Sequence, residues 1–178
     1  MENIELSALD ARRDYLARLL VAIQRCVFYL DASGNKLSWP IRSEELRLRR
    51  KQVDYFESLS ALNERFAKLQ DVMGSAMRHA CLLAGESTES FLRVLVFYEK
   101  IGVLDSVTSW QLCRTTRNLA AHDYEISDDE VAGHFNAIHQ LVPVLCRDAG
   151  RFVEYCAMEL DIFPAEHTFS EEFIRICR

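Results

Sequence analysis

The chain has 178 residues, a mass of 20.6 kDa, a net charge of −6 and a pI near 5.4. That length supports one domain spanning the whole chain, burying roughly 70% of its unfolded surface in a single core. Only six glycines and three prolines occur, too few for the turns of a sandwich, barrel or doubly wound sheet, so an all-α fold is expected. Hydrophobic residues make up 49% of the chain, which excludes disorder; the acidic balance argues against a broad phosphate-binding surface but leaves room for a local basic site.

Leu9, Leu16, Leu20, Ile23, Val27 and Leu30 step by sevens, fours and threes, which predicts a first helix from Ser7 to Leu30 with one face in the core. Its most apolar stretch, Leu19 to Leu30, is interrupted by Gln24 and Arg25 and is too short for a membrane span. The acidic start, Met-Glu-Asn-Ile-Glu, does not read as a secretory signal, so a cytoplasmic protein is expected. Asp31 to Pro40, with Ser33-Gly34-Asn35 and Trp39-Pro40, reads as a loop. Ser43-Glu44-Glu45 reopens a helix with a cap and acids at its positive end. The rhythm Leu59, Leu62, Phe66, Leu69, Met73, Ala76, Ala80, Leu83 then predicts one long helix or a bent pair, stopped by Gly85.

Ser87-Thr88-Glu89 predicts the start of a third helix, ended by Gly102 in a left-handed cap. Asp105 or Ser106 caps a fourth helix, whose apolar face reads as Leu112, Thr116, Leu119 and Ala120. Ser127 to Glu130 has capping-box spacing and opens a fifth helix running to about Leu160, with a kink expected at Pro143. A short helix is expected around Ser170 to Cys177. The six cysteines have no C-x-x-C pair or regular spacing, which favours buried reduced thiols over a zinc knuckle or a disulfide framework.

The fourth helix carries the chemistry. Opposite its apolar face stand Arg114, Asn118 and His122 at steps of four, with Arg117, Ala121 and Tyr124 alongside. Such side chains are costly to desolvate without partners, and mere packing does not call for the set. The segment Arg117-Asn118-Leu119-Ala120-Ala121-His122-Asp123-Tyr124 resembles the HEPN superfamily, whose nucleases carry Arg-x4–6-His, and within it the HepT toxins, with Arg-x4-His-x-Tyr. Asn118 directly after the arginine matches the family habit. A second stretch, Arg65-Phe66-Ala67-Lys68-Leu69-Gln70-Asp71-Val72-Met73-Gly74, is similar to the RF-x-x-LQD-x-x-G segment of HepT-like proteins, and Gly102 to Ser106 followed by Trp110 fits the lead-in to their motif helix. The resemblance spans Phe56 to Tyr155.

The resemblance implies a HEPN-type, up-and-down bundle of about five helices that dimerises through its motif helices. It also implies a metal-independent endoribonuclease toxin of a type VII-like toxin–antitoxin pair, with Arg117 and His122 catalytic, Asn118 and Arg114 supporting, and no cofactor. RNA would be the substrate. The partners would be a second copy and an MntA-like nucleotidyltransferase antitoxin that transfers AMP to Tyr124; no membrane is involved. The alternative within the same resemblance is a non-catalytic HEPN protein serving as the substrate-binding subunit of a nucleotidyltransferase. Chemically, a histidine exchanges protons near neutral pH and a guanidinium grips two phosphate oxygens at once. Positions 117 and 122 stand about 140° apart on a regular helix, so one chain presents both groups side by side only if the helix ends near Ala121; the resemblance implies instead a composite site across a two-fold dimer.

Plainer readings exist for each residue. Arg117 can pair with Asp123 or with an acid of a neighbouring helix, His122 can be a core or capping histidine, and Tyr124 can be a half-buried packing residue. The Arg47 to Lys51 run reads as a solvated helix face. His79 with Cys81, and His134 with His139, have poor spacing for shared metal ligation, and Asp128-Asp129-Glu130 reads as helix-start chemistry rather than a carboxylate pair.

Overall fold

The computed structural model describes residues 2–119 and 127–178. Among them are seven helices and no strand: α1 (Glu2–Gly34), α2 (Ser43–Leu48), α3 (Val53–Leu83), α4 (Phe91–Lys100), α5 (Val107–Leu119), α6 (Asp128–Leu160) and α7 (Ser170–Cys177). The all-helical reading holds, with more helices than the expected five. No helix among the described residues is long and apolar enough to cross a membrane.

Four helices form the body, and contacts at their ends give their directions. His79 Nε2 lies 2.9 Å from the Arg12 carbonyl, while Arg65 donates to the Tyr29 carbonyl (3.2 Å) and to Ser33 Oγ, so α1 and α3 run antiparallel. Gln70 meets Trp110 and Ala67 meets Arg117, so α5 runs back along α3. At the start of α6 His134 faces Asn63, and just beyond its end the Asp161 carbonyl accepts from Arg13 (2.8 Å). The four therefore alternate up and down. Between them Leu16, Leu20, Ile23, Leu62, Phe66, Leu69, Ile138 and Phe152 are fully buried, each contributing about 1.5–3 kcal/mol over an exposed position.

Most helix ends follow local rules. Gly85 (φ 74°) and Gly102 (φ 75°) take the left-handed region; after α4, Val103 N–H reaches back to the Tyr98 carbonyl at 2.9 Å, closing the last turn. Ser106 rather than Asp105 caps α5, its Oγ accepting from Ser109 N–H at 2.9 Å. Both arms of the Ser127–Glu130 capping box are made, and those hydrogen bonds hold the Glu130 carboxyl below its ordinary range. The helix α6 continues through Pro143.

α1 starts at Glu2 rather than Ser7, and three other boundaries differ from the sequence expectation for a tertiary reason. α1 runs one turn further, to Gly34, because Ser33 is buried beneath Arg65. The segment from Ser43 divides into α2 and α3 at Arg49–Gln52: Leu46 is buried, and Arg50 is drawn to Asp128 at 2.8 Å, so α2 leans on the start of α6 before the chain turns to follow α1. α4 starts at Phe91, capped by Ser90, not at Ser87; this start sets Phe91 against Gly74.

Elsewhere the titratable groups are absorbed by packing. All six cysteines are unpaired thiols, four of them buried; burial pushes Cys113 and Cys177 up to about 12, far from a reactive thiolate. His139 stacks on Trp39 at 4.0 Å, His134 sits beside Asn63 and His79 packs edge-on to Tyr15 at 5.0 Å. Arg47, Arg49 and Arg50 pair with Glu44, Glu45 and Asp128. The basic run is a solvated face, as its sequence reads, with side chains 41–65% exposed, and Arg50 also reaches Asp128 at the start of α6.

One buried charge makes the fold pH-dependent. Asp148 of α6 is 2% exposed; it accepts from Asp105 N–H (3.2 Å) and from Arg151, which also holds Asp105 at 2.6 Å. Burial raises the Asp148 carboxyl to about 6 although Arg151 opposes the shift. An acid whose folded value exceeds its unfolded one binds its proton more tightly when folded, so this group favours folding increasingly as pH falls below 6. Relative to Asp148→Asn, the wild-type unfolding free energy should therefore rise by about 2 kcal/mol between pH 7 and pH 4.5 in urea titrations. Parallel curves for the two proteins would contradict the assignment.

Candidate functional site

α5 is built to lie in one register on α3, and the register comes from the Arg65–Gly74 segment. Arg65 anchors α3 to α1, its guanidinium also lying over the Tyr29 ring. Phe66 and Leu69 fill the core. Gln70, buried, donates to the Trp110 carbonyl of α5 at 2.8 Å. Gly74 brings the helices close: a Cβ there would stand 3.2 Å from Phe91 Cζ and 3.7 Å from Trp110 Cζ2. The buried face of α5 is Trp110, Cys113 and Thr116, at steps of three. Leu112, expected in the apolar face, is 53% exposed, because a helix phased by Trp110 turns position 112 outward.

This docking places Arg117 in the last turn of α5 against α3. Its Nη1 donates to the Ala67 carbonyl (2.9 Å) and to Asp71 Oδ1 (2.7 Å). The Arg117 side chain is 15% exposed while that of Asp71 is 62% exposed, so the carboxylate approaches from the solvent side. Both Nη1 hydrogens are committed, and Nε is buried without an acceptor among the described residues. The Nη2 edge is what remains to grip an anion.

Arg117 opens on a cleft of about 380 Å³ between α3, α5 and the start of α4. Arg114, one turn before Arg117, lines it, as does Arg78 from α3; Asp71 is the acidic side chain on the same walls. Three guanidiniums facing one carboxylate make a local cationic site on a chain of net charge −6. Such a site attracts phosphate by Coulomb force and fits its oxygens by the guanidinium fork.

The structure joins some of the sequence-derived site residues and leaves others undescribed. Arg114 and Arg117 share the cleft; Asn118 is exposed at the end of α5. His122 and Tyr124 lie outside the described residues, as does Asp123. The partner of Arg117 among the described residues is an acid of a neighbouring helix, the plainer reading of that residue. Asp71, Gln70 and Arg78 were missed as site residues. For Gln70 and Asp71 the signal was the Arg65–Gly74 segment itself, which supplies the wall facing α5; Arg78 lies four residues beyond it. Comparison with protein-family models, curated proteins and solved structures gives no match, so the chemistry assigned to this cleft rests on its own residues.

Proposed function

We propose that the chain is a HepT-like HEPN endoribonuclease toxin, working without a metal as a homodimer and neutralised when an MntA-like nucleotidyltransferase attaches AMP to Tyr124. The observation that supports this reading best is the seat of Arg117: the motif arginine opens on a cleft shared with Arg114 and Arg78. The segment facing it is the other stretch on which the resemblance rests. In the proposed reaction His122 removes the proton of a ribose 2′-hydroxyl, and the freed oxygen attacks the adjacent phosphorus. Arg117 holds the non-bridging oxygens as charge builds on the phosphorane. The P–O5′ bond then breaks, and the 5′-oxygen takes a proton from the histidine of the second copy, leaving 2′,3′-cyclic phosphate and 5′-hydroxyl ends. Two-fold pairing of the motif helices supplies two histidines and two arginines around one phosphate. AMP on Tyr124, seven residues after Arg117 in the sequence, would add negative charge that competes with the scissile phosphate.

The test is a cleavage assay on the purified chain in EDTA. Cyclic phosphate ends are expected, with loss of cleavage after co-expression with the nucleotidyltransferase and an intact-mass gain of whole AMP units that Tyr124→Phe lacks. Cleavage that needs a divalent ion overturns the metal-independent mechanism, and no cleavage by unmodified protein overturns the nuclease reading itself. The 2.7 Å pairing of Arg117 with Asp71 favours, in that event, a non-catalytic subunit of a nucleotidyltransferase, in which the pair simply ties α5 to α3.

A further inference from the structure

The cleft is longer than one phosphate. Because α5 runs antiparallel to α3, Arg117 lies level with Ala67 and Asp71, and Trp110 lies level with Gln70 and Gly74. Arg114 falls between these two levels. Arg78 follows Asp71 by seven residues, about two helical turns or roughly 10 Å along α3. The three arginines are therefore spaced along a seam rather than gathered at a point, and a single phosphate does not span it.

The end at Arg78 differs chemically from the end at Arg117. Arg78 has its guanidinium 5.4 Å above the Phe91 ring. It is exposed and forms no ion pair among the described residues. Phe91 is half-buried and firmly seated, packed against Gly74 with its centroid 6.1 Å from that of Trp110. A planar cation held over an aromatic ring offers a face for a nucleobase and a charge for its phosphate. Among the described residues the cleft has no such ring at the Arg117 end, which carries the carboxylate of Asp71 instead.

We propose that Arg78 and Phe91 form a nucleotide-binding subsite next to the reacting phosphate, where a base of single-stranded RNA stacks and its phosphate is held by Arg78 and Arg114. This rests on the nuclease reading of the Arg117 end. Arg78 is a positioning residue: it keeps the strand in the seam and does not touch the bond that breaks. A substrate with one phosphate cannot use the subsite, whereas a longer strand fills it.

The experiment measures binding and cleavage separately. Binding uses the His122→Ala chain and a fluorescent single-stranded RNA 12-mer across a salt series. Arg78→Ala in that background should weaken binding about tenfold and reduce the slope of log K against log salt by about 0.7, one phosphate contact fewer on a single strand. Arg78→Lys should restore the slope but not the full affinity, since the ammonium keeps the charge and lacks the stacking plane. Phe91→Leu, which keeps an apolar side chain against Gly74, should weaken binding with the slope unchanged. In the cleavage assay Arg78→Ala alone should raise KM for the 12-mer about tenfold, a larger factor than for a dinucleotide, which has no second phosphate for Arg78 to hold. Unaltered 12-mer affinity and salt slope in Arg78→Ala overturn the subsite. A 12-mer bound through Arg78 by a chain that never cleaves RNA upholds the subsite and sinks the nuclease reading, so the two failures are distinct.

Discussion

Arg117→Ala is expected to lower RNA cleavage by about 10²- to 10³-fold, the loss that follows removal of one preorganised donor to a developing oxyanion. The geometry explains why the effect should fall on catalysis more than on folding. Nη1 is held by the Ala67 carbonyl and Asp71, which fixes the plane of the guanidinium before substrate arrives, so little reorganisation is needed when charge develops. As a fold contact the pair is modest. Its carboxylate is 62% exposed, and solvent screening limits the loss to about 1 kcal/mol. Arg117→Lys should resemble the alanine variant, because an ammonium cannot keep the two α3 contacts and present a second edge to phosphate. His122→Ala should remove cleavage further, since no other motif group exchanges protons near neutral pH. The checks are initial rates on a 12-mer together with urea unfolding. Wild-type rates in Arg117→Ala, alongside a measurable loss of stability, would make the Asp71 pair a tie between helices and nothing more.

What could be read from the sequence divides by distance along the chain. The Ser127–Glu130 capping box, the left-handed Gly102 and α7 depend on residues within a turn or two of one another, and each stands where the pattern put it. The long core faces of α1, α3 and α6 were legible because a stripe repeated over many turns leaves one solution, except at the N-terminal end of the α1 stripe, where Leu9 is 47% exposed. α5 has 13 residues, and over so few turns Leu112 competes with Cys113 and Thr116 as a phase marker. Leucine is the more hydrophobic, yet Trp110 decides, since its ring has a fitted place against Gly74. The site shows the same division. Arg114 and Arg117 were legible as a polar constellation on one helix. Asp71 is 46 residues from Arg117 and Arg78 lies on the same distant helix, so nothing local marked them. The link between Arg50 and Asp128, across 78 residues, was hidden for the same reason.

The docking of α5 is the part of the fold on which the site depends most, and Trp110→Ala is the change that should damage it most. The ring is 3% exposed and lies between Gly74, which has no side chain to replace the lost volume, and Phe91. Neither neighbour can close the cavity without moving a helix, so the cost should be about 3–5 kcal/mol. For a domain of this length that corresponds to a fall in Tm of about 10 °C. Gly74→Ala meets the same contact from the other side with a milder effect: the new Cβ would stand 3.2 Å from Phe91 Cζ, so that ring must shift by a few tenths of an ångström, and 3.7 Å from Trp110 Cζ2, an ordinary contact. Trp110→Ala should lose cleavage beyond its loss of folded protein. Arg117 is aligned only while α5 keeps its register on Ala67 and Asp71, and misplacement of a catalytic group by about 1 Å costs roughly 10²-fold. Thermal unfolding gives the first quantity, and cleavage measured well below Tm gives the second. If Trp110→Ala is destabilised as expected but cleaves normally when folded, Arg117 does not take its position from the α3–α5 seam. The cleft built on that seam would then lose its claim to be the active site.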